Sequence, residues 1–169
     1  NASKIIKDQE GKNLTSSINE EIRRDTLDDA LFKTEGSVIY FSIEFGGGPI
    51  GGDVNYVKYL LEGTRYFSMP RDTVLAARGV VGYLHGFGSK DAPVYERFYL
   101  GGINSIRGFK TRGISPKDPT TNELIGGDSE ALLNIEYIFP IFPEQRFKGV
   151  VFFDTGYTWD GGFLNGLRY

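Results

Sequence analysis

The stretch GGINSIRGF, residues 101–109, decides the fold because it places one arginine in a mostly apolar, glycine-rich turn. The turn lies within a long segment, residues 86–127, which is predicted to connect two strands. A connection of this length is usually either functional or disordered. If Arg107 is buried, an anionic side chain elsewhere in the same chain must neutralise it.

Composition limits the possible classes of protein. A chain of 169 residues with 40% hydrophobic and 24% charged residues is ordinary for one folded domain. Its 19 basic and 22 acidic residues form no basic patch for nucleic acid. With no cysteine and a single histidine, thiolate zinc sites, disulfides and histidine metal clusters are excluded. The 23 glycines and 14% aromatic residues favour β-structure with tight corners.

Alternation with a period of two predicts strands through most of the chain. In SVIYFSIEF, residues 37–45, Ile39, Phe41 and Ile43 alternate with polar or amphipathic side chains. Leu60 and Arg65 break the same alternation in a later strand. Six strands are predicted at residues 13–26, 36–46, 54–68, 73–85, 128–139 and 147–159. Leu167 marks the candidate start of a seventh. A polar face of these strands carries the mid-strand charges Glu44, Lys58, Glu62, Arg78, Glu136 and Asp154.

The connections predict a transmembrane β-barrel over its main alternative, a soluble β-sandwich. Turns rich in Pro, Asp and Gly at residues 27–36, 68–72 and 140–146 fall at one end, and longer connections at 46–53 and 86–127 fall at the other. Outer-membrane barrels have short periplasmic turns and long external loops. No run approaches the ~20 apolar residues of a membrane helix, whereas a barrel strand needs only ~9 to 11. A sandwich would also show alternating faces, so that pattern alone leaves both architectures open.

Three stretches carry a resemblance to a known family: ERFYLGGINSIRGF, VFFDTGYTWD and IRRDTLDDALFKTEGS. They resemble the carboxy-terminal transmembrane barrel of the Omp85 superfamily, most closely its outer-membrane assembly factors. The resemblance implies an all-β, antiparallel, sixteen-stranded barrel, of which the predicted strands are the eighth to the thirteenth. It also implies that the long loop, residues 86–127, folds back into the lumen.

The resemblance further implies a set of site residues. Ile106, Arg107, Gly108 and Phe109 match the family motif, and Glu136 and Asp154 match its acidic partners for the arginine. The alternation independently places both carboxylates on the polar face. An arginine suits this role because its planar guanidinium can engage carboxylates in bidentate fashion. Gly108 is expected to let the backbone turn sharply and approach the wall, and Phe109 to pack beside the arginine.

Two other interpretations of these residues compete. Arg107 could be a solvated arginine in an ordinary surface turn. Glu136 and Asp154 could be the acid and base of a glycosidase. The flanking matches to the family make both alternatives the weaker hypotheses, and no catalytic residue is assigned.

Function follows from the resemblance, which implies insertion and folding of other β-barrel proteins in the bacterial outer membrane. The implied partners are outer-membrane lipids, unfolded β-barrel substrates and accessory lipoproteins, with no nucleic acid, cofactor, metal or enzymatic activity. Residues 1–169 are expected to be a single partial domain of a longer chain, with the periplasmic modules absent. The alternative is a secretion or translocation pore of the same superfamily, of the two-partner or TamA type.

Overall fold

The computed structural model describes residues 14–88, 92–142 and 147–162, and within them the chain forms one antiparallel sheet. Its six strands follow chain order, β1-β2-β3-β4-β5-β6, and β1 and β6 are the two edges. The strands are β1 Ser17–Asp25, β2 Gly36–Gly46, β3 Tyr56–Met69, β4 Thr73–Gly86, β5 Ser129–Phe142 and β6 Phe147–Trp159. This confirms the six predicted strands and the all-β class, whereas the proposed start near Leu167 lies outside the described residues.

A single sheet also decides between the two architectures. A β-sandwich needs two sheets packed face to face, and all six described strands belong to one sheet. Helical structure in the described ranges is limited to two 3-10 turns, Gly48–Ile50 and Val94–Glu96. No helix in the described part of the chain is long and apolar enough to cross a membrane.

The two faces of the sheet differ in what covers them. We call the face beneath residues 92–127 the inner face and the opposite one the outer face. Large apolar side chains remain exposed on the outer face in every strand from β2 to β6, which confirms the predicted alternation. A contiguous exposed apolar face of this kind marks contact with a membrane or a partner. Its members include Ile39, Leu61, Val81, Leu133, Ile135, Tyr137, Val151, Phe153 and Tyr157.

The inner face is not uniformly polar, and this corrects the sequence analysis. Val80, Leu84 and Leu132 share this face with Arg78 and Glu136 and are almost completely buried. They pack under residues 92–127 in two apolar clusters, which are Val54, Tyr56, Leu84, Ala92 and Phe98, and Val80, Leu100, Ile106 and Leu132. Leu60 packs against both clusters, which explains why it breaks the alternation of β3. The hydrophobic core therefore lies between the sheet and its long loop.

The connections sit where antiparallel pairing puts them. Residues 26–35 and 70–72 lie at one end of the sheet, and residues 47–55, 87–88 and 92–128 lie at the other. Within the first turn, the Asp28 carboxylate accepts hydrogen bonds from the Thr34 hydroxyl and from the main chain of Thr34 and Glu35. These bonds hold the pKa of Asp28 below its usual range. The predicted turn between β5 and β6 extends to residues 143–146, which are outside the described part.

A glycine on the inner face leads to the first prediction. A Cβ on Gly82 would lie 2.7 Å from the ring of Phe98 and 2.9 Å from Cγ of Glu130. We expect Gly82→Ala to displace Phe98 and to lower the free energy of unfolding of the full-length protein by ~1 to 3 kcal/mol. Gly79 is the matched control, since a Cβ there has nothing within 4 Å. Denaturant titration in lipid measures both, and equal effects at the two glycines would contradict the packing described here.

Candidate functional site: the Arg107 loop site

The side chain of Arg107 lies between two carboxylates on neighbouring strands. Its Nε donates to Asp154 Oδ2 at 2.7 Å and its Nη2 to Asp154 Oδ1 at 2.6 Å, so the guanidinium and the carboxylate form a bidentate pair. Its Nη1 donates to Glu136 Oε1 at 2.5 Å. The main-chain N–H of Arg107 also donates to Asp154 Oδ2, at 3.0 Å. The structure thus brings together the three charged residues named from the sequence.

Burial differs among the three charged groups. The Asp154 side chain is 2% exposed, whereas Arg107 and Glu136 keep 22% and 32% of their accessible surface. The hydrogen bonds to the Asp154 carboxylate raise the pKa of Arg107. A hydrogen bond to Glu136 and the negative charges of both carboxylates raise it further. The guanidinium therefore stays protonated. If the arginine were lost, Asp154 would be left as an unpaired buried charge.

An aromatic ring that the sequence analysis missed completes the surroundings of the arginine. The Arg107 guanidinium carbon lies 3.7 Å from the centre of the Phe152 ring. Phe152 faces Glu136 across the β5–β6 register, so it shares the inner face with the carboxylates. Stacking of a guanidinium on an aromatic face adds a cation–π contact. The signal was available in the parity of β6, since Phe152 lies two residues before Asp154.

Two polar residues of the inner face extend the site to β3 and β4. Asn134 donates to Ser105 O at 2.7 Å and to Asp154 Oδ1 at 2.8 Å, and it accepts from Arg78 Nη1 at 3.1 Å. Arg78 also donates to Glu62 on β3 and to the main-chain oxygen of Asn104. The sequence analysis placed Arg78 on the polar face and assigned neither residue to the site. The register could have identified them, because it pairs Arg78 with Asn134 and Asn134 with Asp154.

The backbone of the loop tip needs glycines in the left-handed region. We call residues 101–113 the tip. Gly108 has φ 87°, as the sharp turn predicted for it requires, but a Cβ there would meet nothing within 4 Å. The predicted close approach to the wall is therefore wrong for Gly108. A different close approach, between two parts of the tip itself, occurs at Gly101, whose Cβ would lie 2.3 Å from the main-chain oxygen of Lys110.

The two apolar motif residues have opposite surroundings. Ile106 is 5% exposed and packs with Val80, Leu100 and Leu132. Phe109 is 59% exposed, so the prediction that its ring packs beside Arg107 is wrong. Phe152 occupies that position instead.

The arrangement is suited to holding the loop. Glu136 and Asp154 are both bonded to the same guanidinium, so neither is free to exchange protons with a substrate as the glycosidase interpretation requires. In the described part of the chain no group of His, Cys, Asp and Glu side chains could hold a metal ion. What the contacts do provide is a connection between the tip and strands β3 to β6.

Comparison with known proteins shows to which family the chain belongs. The Omp85 superfamily domain matches residues 1–165. The chain belongs to the Omp85 superfamily. An Omp85 relative, the outer membrane protein assembly factor BamA of Nitratidesulfovibrio vulgaris, is 43% identical over 159 residues, which are 94% of this chain and 20% of that protein. BamA of Neisseria meningitidis is 30% identical over 145 residues, covering 82% of this chain and 18% of that protein.

Similarity extends to eukaryotes and to a solved structure. The human sorting and assembly machinery component 50 homolog is 29% identical over 170 residues, covering 99% of this chain and 35% of that protein. The crystal structure of BamA from Haemophilus ducreyi lacking POTRA domains 1-3 matches with a TM-score of 0.77 and 25% identity, covering 85% of this chain and 30% of that one. This Omp85 chain spans about a fifth of the length of its bacterial relatives. Its six strands are part of an outer-membrane β-barrel.

Proposed function

We propose that this chain is part of a BamA-like insertase that folds β-barrel proteins and inserts them into the bacterial outer membrane. The similarity to assembly factors from bacteria and eukaryotes supports the proposal. Residues 1–169 act as one partial barrel domain, and residues 86–127 as a loop that enters the lumen. Outer-membrane lipids, unfolded β-barrel proteins and accessory lipoproteins are the partners, and the exposed apolar outer face supports the first of them.

Within this function, Arg107 acts as a latch that holds the loop to the inner face. One observation carries this proposal: a single guanidinium bonds two carboxylates that belong to β5 and β6. Two carboxylates on neighbouring strands repel each other, and the cation between them reverses that repulsion. The latch therefore stabilises the pairing of β5 with β6 as well as the position of the loop.

A folding assay tests the proposed function. The full-length protein is reconstituted into liposomes, and the folding of a urea-denatured outer-membrane β-barrel protein is followed by its protease resistance. We expect the substrate to fold faster than in empty liposomes. With the Arg107→Ala variant, substrate folding should be slower than with the wild type by ~10-fold or more, because the loop is no longer held in its position in the lumen. Lys110→Ala, which removes an exposed charge from the same tip, is the control.

The alternative pore function gives a different result in the same system. A secretion pore would transport a soluble partner and leave the folding of β-barrel substrates at the rate seen in empty liposomes. That outcome would overturn the insertase proposal. A wild-type rate in Arg107→Ala, together with acceleration by the wild-type protein, would preserve the insertase proposal and overturn the latch.

A further inference from the structure

The loop contacts the sheet at a second place, near its two ends. We call residues 96–98 and 126–128 the neck. There Arg97 Nη1 donates to Asp160 Oδ1 at 3.0 Å and to the main-chain oxygen of Gly126 at 3.2 Å. The Arg97 side chain is 11% exposed and Asp160 is 41% exposed. Asp160 directly follows β6, so the arginine links both limbs of the loop to the end of that strand.

Main-chain contacts make the neck a closed unit. Phe98 and Gly127 exchange two hydrogen bonds of 2.9 Å, which join the outgoing and returning limbs. Asp160 Oδ1 also accepts from the main-chain N–H of Asp128, at 3.2 Å. In return, Asp128 Oδ2 accepts from the main-chain N–H groups of Gly161 and Gly162, at 2.8 and 3.1 Å. The neck and the segment after β6 therefore hold each other from both sides.

The other side of the neck is attached to β3. Lys58 Nζ lies 2.9 Å from Glu96 Oε2, and it also lies 5.2 Å from the centre of the Phe98 ring. Phe98 is 7% exposed and packs with Tyr56 and Leu84 of the first apolar cluster. The neck is thus fastened both to β3 and to the end of β6, across four strands of the sheet.

We propose that Arg97 is a second positioning residue of the loop, which fastens the neck to the end of β6 through Asp160 independently of the Arg107 latch. The two sets of contacts share no residue within the described part of the chain. The biological use of this anchor rests on the proposed function, in which the loop must stay in the lumen. Its consequence is that losing the Arg107 contacts frees the tip while the neck stays attached.

Independence has a physical basis in the backbone between the two regions. Leu100 and Ile114 exchange two hydrogen bonds of 2.9 Å, which close the tip as a separate unit. Beyond this bridge the chain turns at Gly101 and Gly102, whose φ angles are 104° and 100°. The Leu100–Ile114 bridge separates the neck from the tip, and the glycines begin the turn of the tip beyond it. Opening of the tip therefore does not require opening of the neck.

Hydrogen exchange of the full-length protein in lipid nanodiscs tests the proposal. We expect Arg97→Ala to speed amide exchange in peptides of the neck by ~5- to 10-fold and to change the tip less than twofold. Arg107→Ala should do the reverse. Lys117→Ala, an exposed charge in the same loop, is the control and should change neither region. Asp160→Asn keeps an acceptor oxygen but removes the charge, and it should loosen the neck by a smaller factor.

A charge exchange separates the ion pair from general packing. In the double variant Arg97→Asp with Asp160→Arg, we expect exchange at the neck to return toward the wild-type rate, which a purely steric role of Arg97 would not allow. Unchanged neck exchange in both Arg97→Ala and Asp160→Asn would overturn the second anchor. Equal acceleration of neck and tip in Arg97→Ala would overturn its independence. Neither result affects the insertase proposal, which depends on the substrate-folding assay.

Discussion

Replacing Arg107 with alanine is expected to lower the free energy of unfolding of the full-length protein in lipid by about 3 kcal/mol. Loss of one partner of a buried ion pair typically costs ~3 to 5 kcal/mol, because the other charge stays buried without compensation. Asp154, 2% exposed, is that charge here, and the partial exposure of Arg107 and Glu136 puts the cost in the lower part of the range. Strand pairing should persist while the tip loosens. The measurements are heat-modifiability on unboiled gels, denaturant titration and protease cleavage within residues 86–127.

Two further variants show whether the fork geometry matters. Arg107→Lys keeps the charge but cannot bond both oxygens of Asp154 in a planar fork, so we expect it to recover only part of the loss. Lys110→Ala removes a nearby exposed charge and should change the stability by less than ~0.5 kcal/mol. A wild-type unfolding free energy and unchanged protease protection in Arg107→Ala would show that the contacts contribute nothing to holding the loop.

Ile106→Ala is expected to cost ~2 to 4 kcal/mol of unfolding free energy in the same titration. Ile106 is 5% exposed and packs against Val80, Leu100 and Leu132, so truncation leaves a cavity between the loop and the sheet. The same change should loosen Arg107, because the two residues are adjacent in the tip. Protease cleavage within residues 86–127 is expected to rise as it does for Arg107→Ala.

The tip contains a matched control for this prediction. Ile103 is 83% exposed, so Ile103→Ala removes the same side-chain atoms without leaving a cavity. We expect it to change stability by less than ~0.5 kcal/mol. Equal losses for Ile103→Ala and Ile106→Ala would mean that the apolar contact under the loop is not what holds the tip.

The strands could be predicted because their signal is local. A strand places every second side chain on one face, and a membrane-facing sheet makes that alternation strong over the whole length of the strand. The first strand is the one whose observed start, Ser17, departs most from the predicted one, residue 13. Parity also placed Glu136 and Asp154 on one face, which no assumption about the family influenced.

Contacts across the inner face could not be predicted in the same way. Alternation gives the side of each residue but not the residues that come to lie above it, so Val80, Leu84 and Leu132 were not recognised as a core. Their burial depends on residues 92–127 folding over them, and that segment has no periodicity of its own. The roles of Asn134 and Phe152 depend on the strand register, which aligns them with Asp154 and Glu136 only once the sheet has formed.

By itself the sequence determined the six strands, the side of the sheet on which each of their residues lies and the family to which the loop motif belongs. These follow from short-range chemistry: side-chain alternation, glycine-rich turns and a motif of adjacent residues. Only the tertiary structure decided that Ile106 is buried while Phe109 is exposed, and that Arg97 reaches Asp160 at the end of β6. The reason is that a loop between β4 and β5 meets residues far along the chain, and which atoms meet depends on its path in three dimensions.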